Sequence, residues 1–226
     1  RQNLNVAGSN FSFGADIGEV SDKSYLDDLS DNLQISSASH IPQRVDLSID
    51  PTDIFLEDEE FRINADVTAY QTVDESISDE DEPYTRLPGI KVTWDKEYQL
   101  NFDDSGGYLR DHTTRFSLRP EFDTELVNFG HGSVAKTTGI RWDNQLSVAV
   151  PMERTYGEIT PKLTYAHTSY SVDNQPADHP SDPTRGIYLL QIGSKLLLER
   201  DVSWGDENHT QTLVPSLAYH YVPYED

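Results

Sequence analysis

The feature that most constrains this chain is a two-residue alternation of apolar and polar side chains that recurs along most of its length. Phe61, Ile63 and Val67 stand at odd positions, whereas Arg62 and Asp66 lie between them. Because successive side chains of a strand point to opposite faces, this pattern predicts strands with one apolar and one polar face. We find no convincing amphipathic helical period in the sequence.

Similar alternating runs predict further strands at 11–18, 44–50, 90–102, 115–123, 140–150, 188–199 and 210–221. Segments rich in Asp, Ser, Gly and Pro separate the runs, at 21–32, 50–60, 73–83, 102–112, 129–139 and 172–186. This layout predicts an all-β fold, an antiparallel meander of roughly nine strands. We see no linker that would divide domains, so residues 1–226 are expected to form a single block of strands.

The composition argues against several classes of function. The formal net charge is −23, which disfavours binding to nucleic acid or to anionic lipid headgroups. There is no Cys, and the seven His show no paired metal-binding spacing. The acidic run at 74–83 offers clustered oxygens but lacks the spacing of a calcium loop. We therefore predict no catalytic site, no metal site and no cofactor.

Alternation alone leaves two architectures open, because a soluble sandwich and a membrane barrel share it. Three features favour the barrel. The strands are long compared with the ~5–6 residues typical of a sandwich. The polar faces carry both signs of charge at closely spaced positions, such as Arg44 and Asp46. Aromatic residues gather near strand ends, as in an interfacial girdle, at Tyr98, Phe102, Tyr156, Tyr170, Tyr188, Tyr221 and Tyr224.

The last segment, "LLLERDVSWGDENHTQTLVPSLAYHYVPYED", resembles a signature of the family of LPS-assembly protein LptD, also called OstA or organic solvent tolerance protein. The matching motif residues, to which we assign a structural role, are Glu199, Arg200, Asp201, Gln211, Thr212, Leu213, Pro215, Tyr221, Val222, Pro223 and Tyr224. The stretches 20–31 and 83–94 are also similar to family segments. The chain departs from the family at Val214 and Ser216, where Glu and Arg are usual, which implies the loss of an ion pair.

The resemblance implies a part of a large transmembrane β-barrel in the outer membrane of a Gram-negative bacterium. Such a barrel inserts lipopolysaccharide into the outer leaflet, without enzymatic chemistry. Its implied partners are lipopolysaccharide, the plug lipoprotein LptE, outer-membrane lipid and the periplasmic Lpt bridge, which docks on a jelly-roll domain expected to lie outside this chain. Another large outer-membrane barrel (a porin or a receptor) and a soluble β-sheet carbohydrate-binding domain stay open as alternatives.

The polar rows supply candidate lumen-facing residues: Arg44, Asp46, Arg62, Asp66, Lys91, Asp95, Arg115, Arg119, Glu121, Arg141 and Asp143. We expect the opposite face to carry Val45, Leu47, Ile49, Phe61, Ile63, Val67, Ile140, Leu146 and Val148.

Three further predictions concern loops and pairing. The acidic segments 50–60 and 74–83 should be turns or loops. Residues near 190–200 should pair with residues near 210–221, joined by a loop at 201–209. This pairing sets Gln211 or Thr212 across from the segment 199–201.

Overall fold

The computed structural model describes residues 2–6, 9–21, 39–51, 59–100, 115–204 and 207–223, and its regular elements in these ranges are strands. The described strands are β1 (Gln2–Val6), β2 (Ser9–Ile17), β3 (His40–Asp50), β4 (Glu59–Thr72), β5 (Thr85–Lys96), β6 (Tyr98–Leu100), β7 (Arg115–Gly130), β8 (Thr138–Ala149), β9 (Met152–Arg154), β10 (Gly157–Asp173), β11 (Thr184–Leu196), β12 (Leu198–Trp204), β13 (Glu207–Leu213) and β14 (Ser216–Tyr221).

Most of these strands form one 12-stranded sheet whose main path runs β1-β2-β3-β4-β5-β7-β8-β10-β11-β14. The short strand β6 pairs with β7, and β9 pairs with both β10 and β7. Neighbours on the path follow one another in sequence apart from the short strands and a separate β12-β13 hairpin. The predicted all-β antiparallel meander is therefore confirmed, and the described residues form fourteen strands where about nine were expected, in part because of the short strands β1, β6 and β9.

The register shows which side chains share a face. Val45 of β3 lies opposite Ala15 of β2 and Val67 of β4. Asp46 lies opposite Asp66. Because directly opposed residues project from the same face, the predicted alternation is confirmed in these strands. The same register places Leu47, Ile49 and Ile63 on the side of Val45.

Close contacts divide the chain into two compact units. The first unit comprises Arg1–Trp94, Asp123–Asn144 and His167–Arg185, and the second comprises Asp95–Phe122, Gln145–Ala166 and Gly186–Asp226.

The first unit holds an aromatic cluster where two strands meet their loops. The ring centroid of Tyr84 lies 5.9 Å from the ring centroid of Phe129 and 4.9 Å from that of His131. Phe129 in turn contacts Tyr170 edge-on at 6.4 Å. His131 Nε2 lies 2.9 Å from the backbone oxygen of Glu82, so the cluster ties the loop after β4 to the loop after β7.

In the second unit, the predicted pairing of the C-terminal segments is confirmed. β11 pairs with β14, and β12 pairs with β13. Thr212 lies opposite Glu199 and Gln211 opposite Arg200, as expected. The predicted loop at 201–209 is wrong, because β12 continues to Trp204 and β13 begins at Glu207. The cross-strand pairs extend the hairpin almost to its tip.

The acidic run at 74–83 lies in turns and bends, as predicted. Asp74 Oδ1 accepts hydrogen bonds from the backbone and the hydroxyl of Ser76, at 2.8 and 2.6 Å. The other predicted acidic loop, at 50–60, falls mostly on 52–58, outside the described residues; Asp50 ends β3, and Glu59 begins β4. The described residues include no helix long and apolar enough to span a membrane.

Burial in this sheet is inverted relative to a soluble protein. Leu146 and Val148 of β8 are 53% and 39% exposed, whereas Ser147 between them is 1% exposed. Among the described residues, three hydrophobic side chains are buried, whereas 34 large hydrophobic side chains are exposed. The polar side of the strands is therefore the packed side.

Candidate functional site: ion pairs on the polar side

The centre of the charged network in the first unit is Arg86 of β5. Its guanidinium donates two hydrogen bonds to the Asp66 carboxylate of β4, from Nε and Nη2, both at 3.2 Å. Nη2 also donates to Glu125 Oε1 of β7 at 2.8 Å. One planar cation thus joins three strands, which its fixed fork of donors makes possible.

Arg141 of β8 continues the row. Its Nη2 donates to the second oxygen of Glu125, Oε2, at 2.8 Å. Its Nε lies 2.6 Å from Asp143 Oδ2 in an ion pair that is not aligned as a hydrogen bond. Thr168 of β10 donates its hydroxyl hydrogen to Asp143 Oδ1 at 2.6 Å. The connected groups therefore run from β4 to β10.

Glu125 is the shared element of this row, because each carboxylate oxygen accepts from a different arginine. The side chains of Glu125 and Arg86 are 23% and 32% exposed. Water screens them only partly, so these pairs are stronger than fully exposed ones, which contribute about 0–1 kcal/mol.

Glycines leave space for charged side chains to lie across the strands. A Cβ on Gly89 would fall 2.6 Å from Arg86 Nη2 and 3.0 Å from Asp66 Oδ1. A Cβ on Gly14 would fall 2.7 Å from Asp46 Oδ1. Neither contact is possible for a real Cβ without movement of the charged group. Glycine at these positions therefore helps to set the geometry of the network.

The second unit carries its own set of ion pairs. Arg119 Nη2 of β7 donates to Glu97 Oε2 at 2.6 Å. Lys162 of β10 pairs with Glu121 of β7. These pairs connect neighbouring parts of the sheet on the side of the polar row.

A third pair in this unit lies between β10 and β11. Lys195 Nζ lies 2.5 Å from Glu158 Oε2. Glu158 also accepts a hydrogen bond from the hydroxyl of Thr160 at 2.7 Å, which fixes the carboxylate. On the same polar side, the buried hydroxyls of Ser147 in β8 and Thr164 in β10 lie 3.0 Å apart and share a hydrogen bond.

Two pairs in the first unit are looser. Lys91 Nζ lies 3.7 Å from Asp123 Oδ1, and Arg44 Nε lies 3.8 Å from Asp46 Oδ1. Both pairs include a cation about half exposed, at 48% and 55%. They belong to the weak class of surface ion pairs.

This sequence matches the family model for LptD, described as "LPS transport system D", over residues 3–226. The chain belongs to the LptD family.

Curated relatives agree with the family match. The LPS-assembly protein LptD of Hahella chejuensis is 30% identical over 216 residues, which cover 93% of this chain and 24% of the relative. The LptD proteins of Alcanivorax borkumensis and Pseudomonas aeruginosa LESB58 are each 28% identical, over 96% and 93% of this chain and 26% and 24% of the relatives. The chain spans about a quarter of the length of these relatives.

Eight of the eleven lumen-facing candidates take part in the ion pairs described above, namely Arg44, Asp46, Asp66, Lys91, Arg119, Glu121, Arg141 and Asp143. Arg62 is exposed in β4, and Arg115 begins β7 opposite Glu153. Asp95 lies close enough to Arg119 to interact with it electrostatically. The assignment of all eleven residues to a lumen stays a prediction.

Sequence reasoning missed the centre of the network. In a strictly alternating strand, Arg86 would lie on the face opposite to Gly89 and Lys91. In the structure Arg86 and Gly89 lie on the same, polar side, because a Cβ on Gly89 would fall beside the Arg86 guanidinium. Glu125 lies beyond the alternating run that predicts a strand at 115–123, whereas β7 continues to Gly130.

The strand β10 was also missed, and with it Glu158 and Lys162. A signal was present in the sequence, because Ile159, Leu163 and Tyr165 alternate there with polar residues.

The family-motif residues lie mainly in the β12–β13 hairpin and its junction with the sheet. Arg200 Nε donates to Gln211 Oε1 at 2.7 Å, and the Thr210 hydroxyl donates to Asp201 Oδ1 at 3.2 Å. The backbone oxygen of Pro215 accepts from Leu196 N at 3.0 Å. These contacts link the two strands of the hairpin and join the hairpin to β11. The structural role assigned to the motif stays a prediction. Tyr224 lies outside the described residues.

The described residues contain no group of three or more His, Cys, Asp or Glu arranged to hold a metal ion.

Proposed function

We propose that this chain forms part of the wall of an outer-membrane β-barrel that inserts lipopolysaccharide into the outer leaflet. In this proposal, residues 1–226 act as a single block of barrel strands in the outer membrane of a Gram-negative bacterium. The barrel moves its cargo without enzymatic chemistry. The observation that carries the proposal is the inverted burial of the sheet in a member of the LptD family.

Exposure alternates on neighbouring residues in the way that lipid contact requires. Leu163 of β10 is 53% exposed and Thr164 is 4% exposed. A soluble carbohydrate-binding sheet would bury the leucine, because monomeric soluble proteins rarely leave large continuous apolar surfaces in water. In a membrane barrel the same surface is covered by acyl chains, and polar residues face inward.

Strand length supports the same interpretation. A strand needs about 9–11 residues to cross a bilayer when it is tilted. β5 has 12 residues, β7 has 16, β8 has 12, β10 has 17 and β11 has 13. Each of these is long enough to span the hydrocarbon core and extend beyond it.

Two of the proposed partners follow from the two faces, and two others come from membership of the LptD family. The apolar face contacts outer-membrane lipid. The polar face gives the sugars and phosphates of lipopolysaccharide water and hydrogen-bonding groups. The plug lipoprotein LptE binds within the barrel, and the periplasmic Lpt bridge supplies the cargo.

The test is depletion of the protein that contains this chain in the bacterium that encodes it. Newly made lipopolysaccharide is labelled in a pulse, and its arrival at the outer leaflet is followed with an enzyme that modifies only surface molecules. We expect arrival to stop while other outer-membrane barrels keep their normal abundance over the first generations. Normal arrival of new lipopolysaccharide after full depletion would contradict the proposal.

A further inference from the structure

We propose that the polar side of this sheet is built to pass phosphorylated sugars without retaining them, because seven of its cations are held in ion pairs by neighbouring carboxylates. This inference rests on the proposed function and adds to it a reason for the pattern of charges.

The second unit shows the pattern most simply. Three cations of its polar row, Arg119, Lys162 and Lys195, each lie against a carboxylate. Those carboxylates come from Glu97, Glu121 and Glu158. The set is formally neutral, and each ammonium or guanidinium has a carboxylate at contact distance.

The first unit repeats the pattern with one extra acid. Its paired cations are Arg44, Arg86, Lys91 and Arg141, and their carboxylates are Asp46, Asp66, Asp123, Glu125 and Asp143. Here the formal sum is one negative charge. The network therefore stays close to neutrality in each unit.

This near-neutrality contrasts with the chain as a whole, whose formal net charge is −23. The described loop at 73–84 alone contains six acidic residues, Asp74, Glu75, Asp79, Glu80, Asp81 and Glu82. The ion-pair network on the strands is thus close to neutral, whereas the loop is strongly acidic. A strongly acidic wall would repel a polyanion, whereas a neutral wall of closed pairs does not.

Phosphate groups bind free guanidinium and ammonium groups through strong charge-assisted hydrogen bonds. A series of free cations would therefore hold a phosphorylated glycolipid at many points. Transport requires sites weak enough for the cargo to leave. When a carboxylate is already paired with the cation, a phosphate must displace that carboxylate. The displaced carboxylate then has no partner, so the net free energy gained on phosphate binding is small.

A purely stabilising role for the ion pairs makes a different prediction. If the pairs only hold the sheet together, removing the acid or the base of one pair should have similar consequences. If the pairs mask cations from cargo, the two removals should have opposite consequences for anion binding. The pair of Lys162 and Glu121 allows this comparison, because the partners lie in one unit on two long strands, β10 and β7, that flank β8.

The experiment uses the full-length protein that contains this chain, purified in detergent. Glu121→Gln removes the charge that masks Lys162, and Lys162→Gln is the matched control that breaks the same pair. The probe is deacylated lipopolysaccharide with its phosphates, compared with the same oligosaccharide after dephosphorylation. Binding is measured by titration at low salt and at a physiological salt concentration.

We expect Glu121→Gln to bind the phosphorylated probe roughly three- to tenfold more tightly than the wild type at low salt. Salt should weaken this gain, and the dephosphorylated probe should show none. Lys162→Gln should show no tightening. Glu158→Gln and Lys195→Gln repeat the comparison at a second pair if the first pair of variants fails to fold.

Equal effects of acid removal and base removal, or no effect of either in folded protein, would overturn the inference. Folding is checked by the resistance of the barrel to SDS in unheated samples. Failure here is distinct from failure of the proposed function, because depletion tests delivery of lipopolysaccharide in cells and does not depend on any ion pair.

Discussion

The two faces of β8 show how differently one strand can be stabilised on its two sides. Leu146 and Val148 contact little of the protein, whereas Ser147 is buried and bonded to Thr164. The same contrast occurs in β4, where Val67 is exposed and Thr68 is buried. Apolar residues are therefore not the packed residues of this sheet. Its side-chain cohesion comes from hydroxyls and ion pairs on the polar side.

The comparison also explains why the ion pairs lie where they do. A conventional core holds strands together by burying apolar area, at roughly 25 cal/mol per Å². In this chain much of the apolar area is exposed, so its contribution to stability depends on what covers it. The polar side must then fix the strand register with directional contacts, and Arg86 and Arg141 do this across several strands through Glu125.

The largest effect should follow from placing a charge on the apolar face. We expect Leu146→Lys to destabilise the barrel by about 2–4 kcal/mol when the position lies near the middle of the bilayer. The matched variant is Gln145→Lys, on the neighbouring residue of the polar row, and it should cost less than about 1 kcal/mol. Urea unfolding of the full-length protein in lipid vesicles measures both. Similar costs for the two variants would remove the distinction between the faces.

The next effect tests the shared carboxylate. Glu125→Leu removes the carboxylate that Arg86 and Arg141 share. We expect the free energy of unfolding to fall by roughly 1–2 kcal/mol after allowing for partial exposure. Asp123→Asn breaks the looser pair with Lys91 and should cost about 0.5 kcal/mol or less. The same urea titration ranks them. An equal cost for both would show that the row through Arg86 has no special role.

A smaller effect should come from filling the space beside Arg86. In Gly89→Ala the new methyl group meets the guanidinium, which must move away from Asp66, and we expect a cost of about 1 kcal/mol. Gly132→Ala is the control, because its Cβ would lie at an ordinary 3.7 Å from Glu82 Oε2. If Asp66→Asn is already present, the cost of Gly89→Ala should fall. Full additivity of those two changes would contradict the proposed contact.

The smallest effect is expected in the acidic loop. Neutralising Asp79, Glu80, Asp81 and Glu82 together should change the free energy of unfolding by about 0.5 kcal/mol or less. Among the described residues, the side-chain contact affected is the hydrogen bond from the Ser78 hydroxyl to Asp81 Oδ2 at 2.8 Å. The abundance of folded protein in the membrane fraction provides the measurement. A collapse of assembly would show that this loop does more than connect strands.

The sequence pattern was sufficient to predict the fold class, because side chains that alternate with a period of two residues are characteristic of a β-strand. It also located the C-terminal pairing, since the two segments are close in sequence and similar in length. It extended the predicted hairpin loop too far, because Ser203, Asn208 and their neighbours have turn-like composition but pair across the hairpin. Local composition is a weaker signal than cross-strand register.

The candidate site was predicted in part, for a physical reason. Alternation identifies a residue's face but not its partner, which depends on strand order and register. Asp66 and Arg141 were therefore assigned to a polar row, but their link through Arg86 and Glu125 could not be derived. The missing step is a change of alternation between Arg86 and Gly89, which no two-residue pattern reveals.

The central claim is that lipid covers the apolar face and does not reach the polar face. A photo-reactive diazirine amino acid is placed at position 163 or at position 162 of the full-length protein in native membranes. After illumination, mass spectrometry detects phospholipid adducts. We predict abundant acyl-chain adducts when the probe replaces Leu163, and few when it replaces Lys162 on the opposite face. Equal lipid adducts at both positions, or adducts mainly at position 162, would contradict the account.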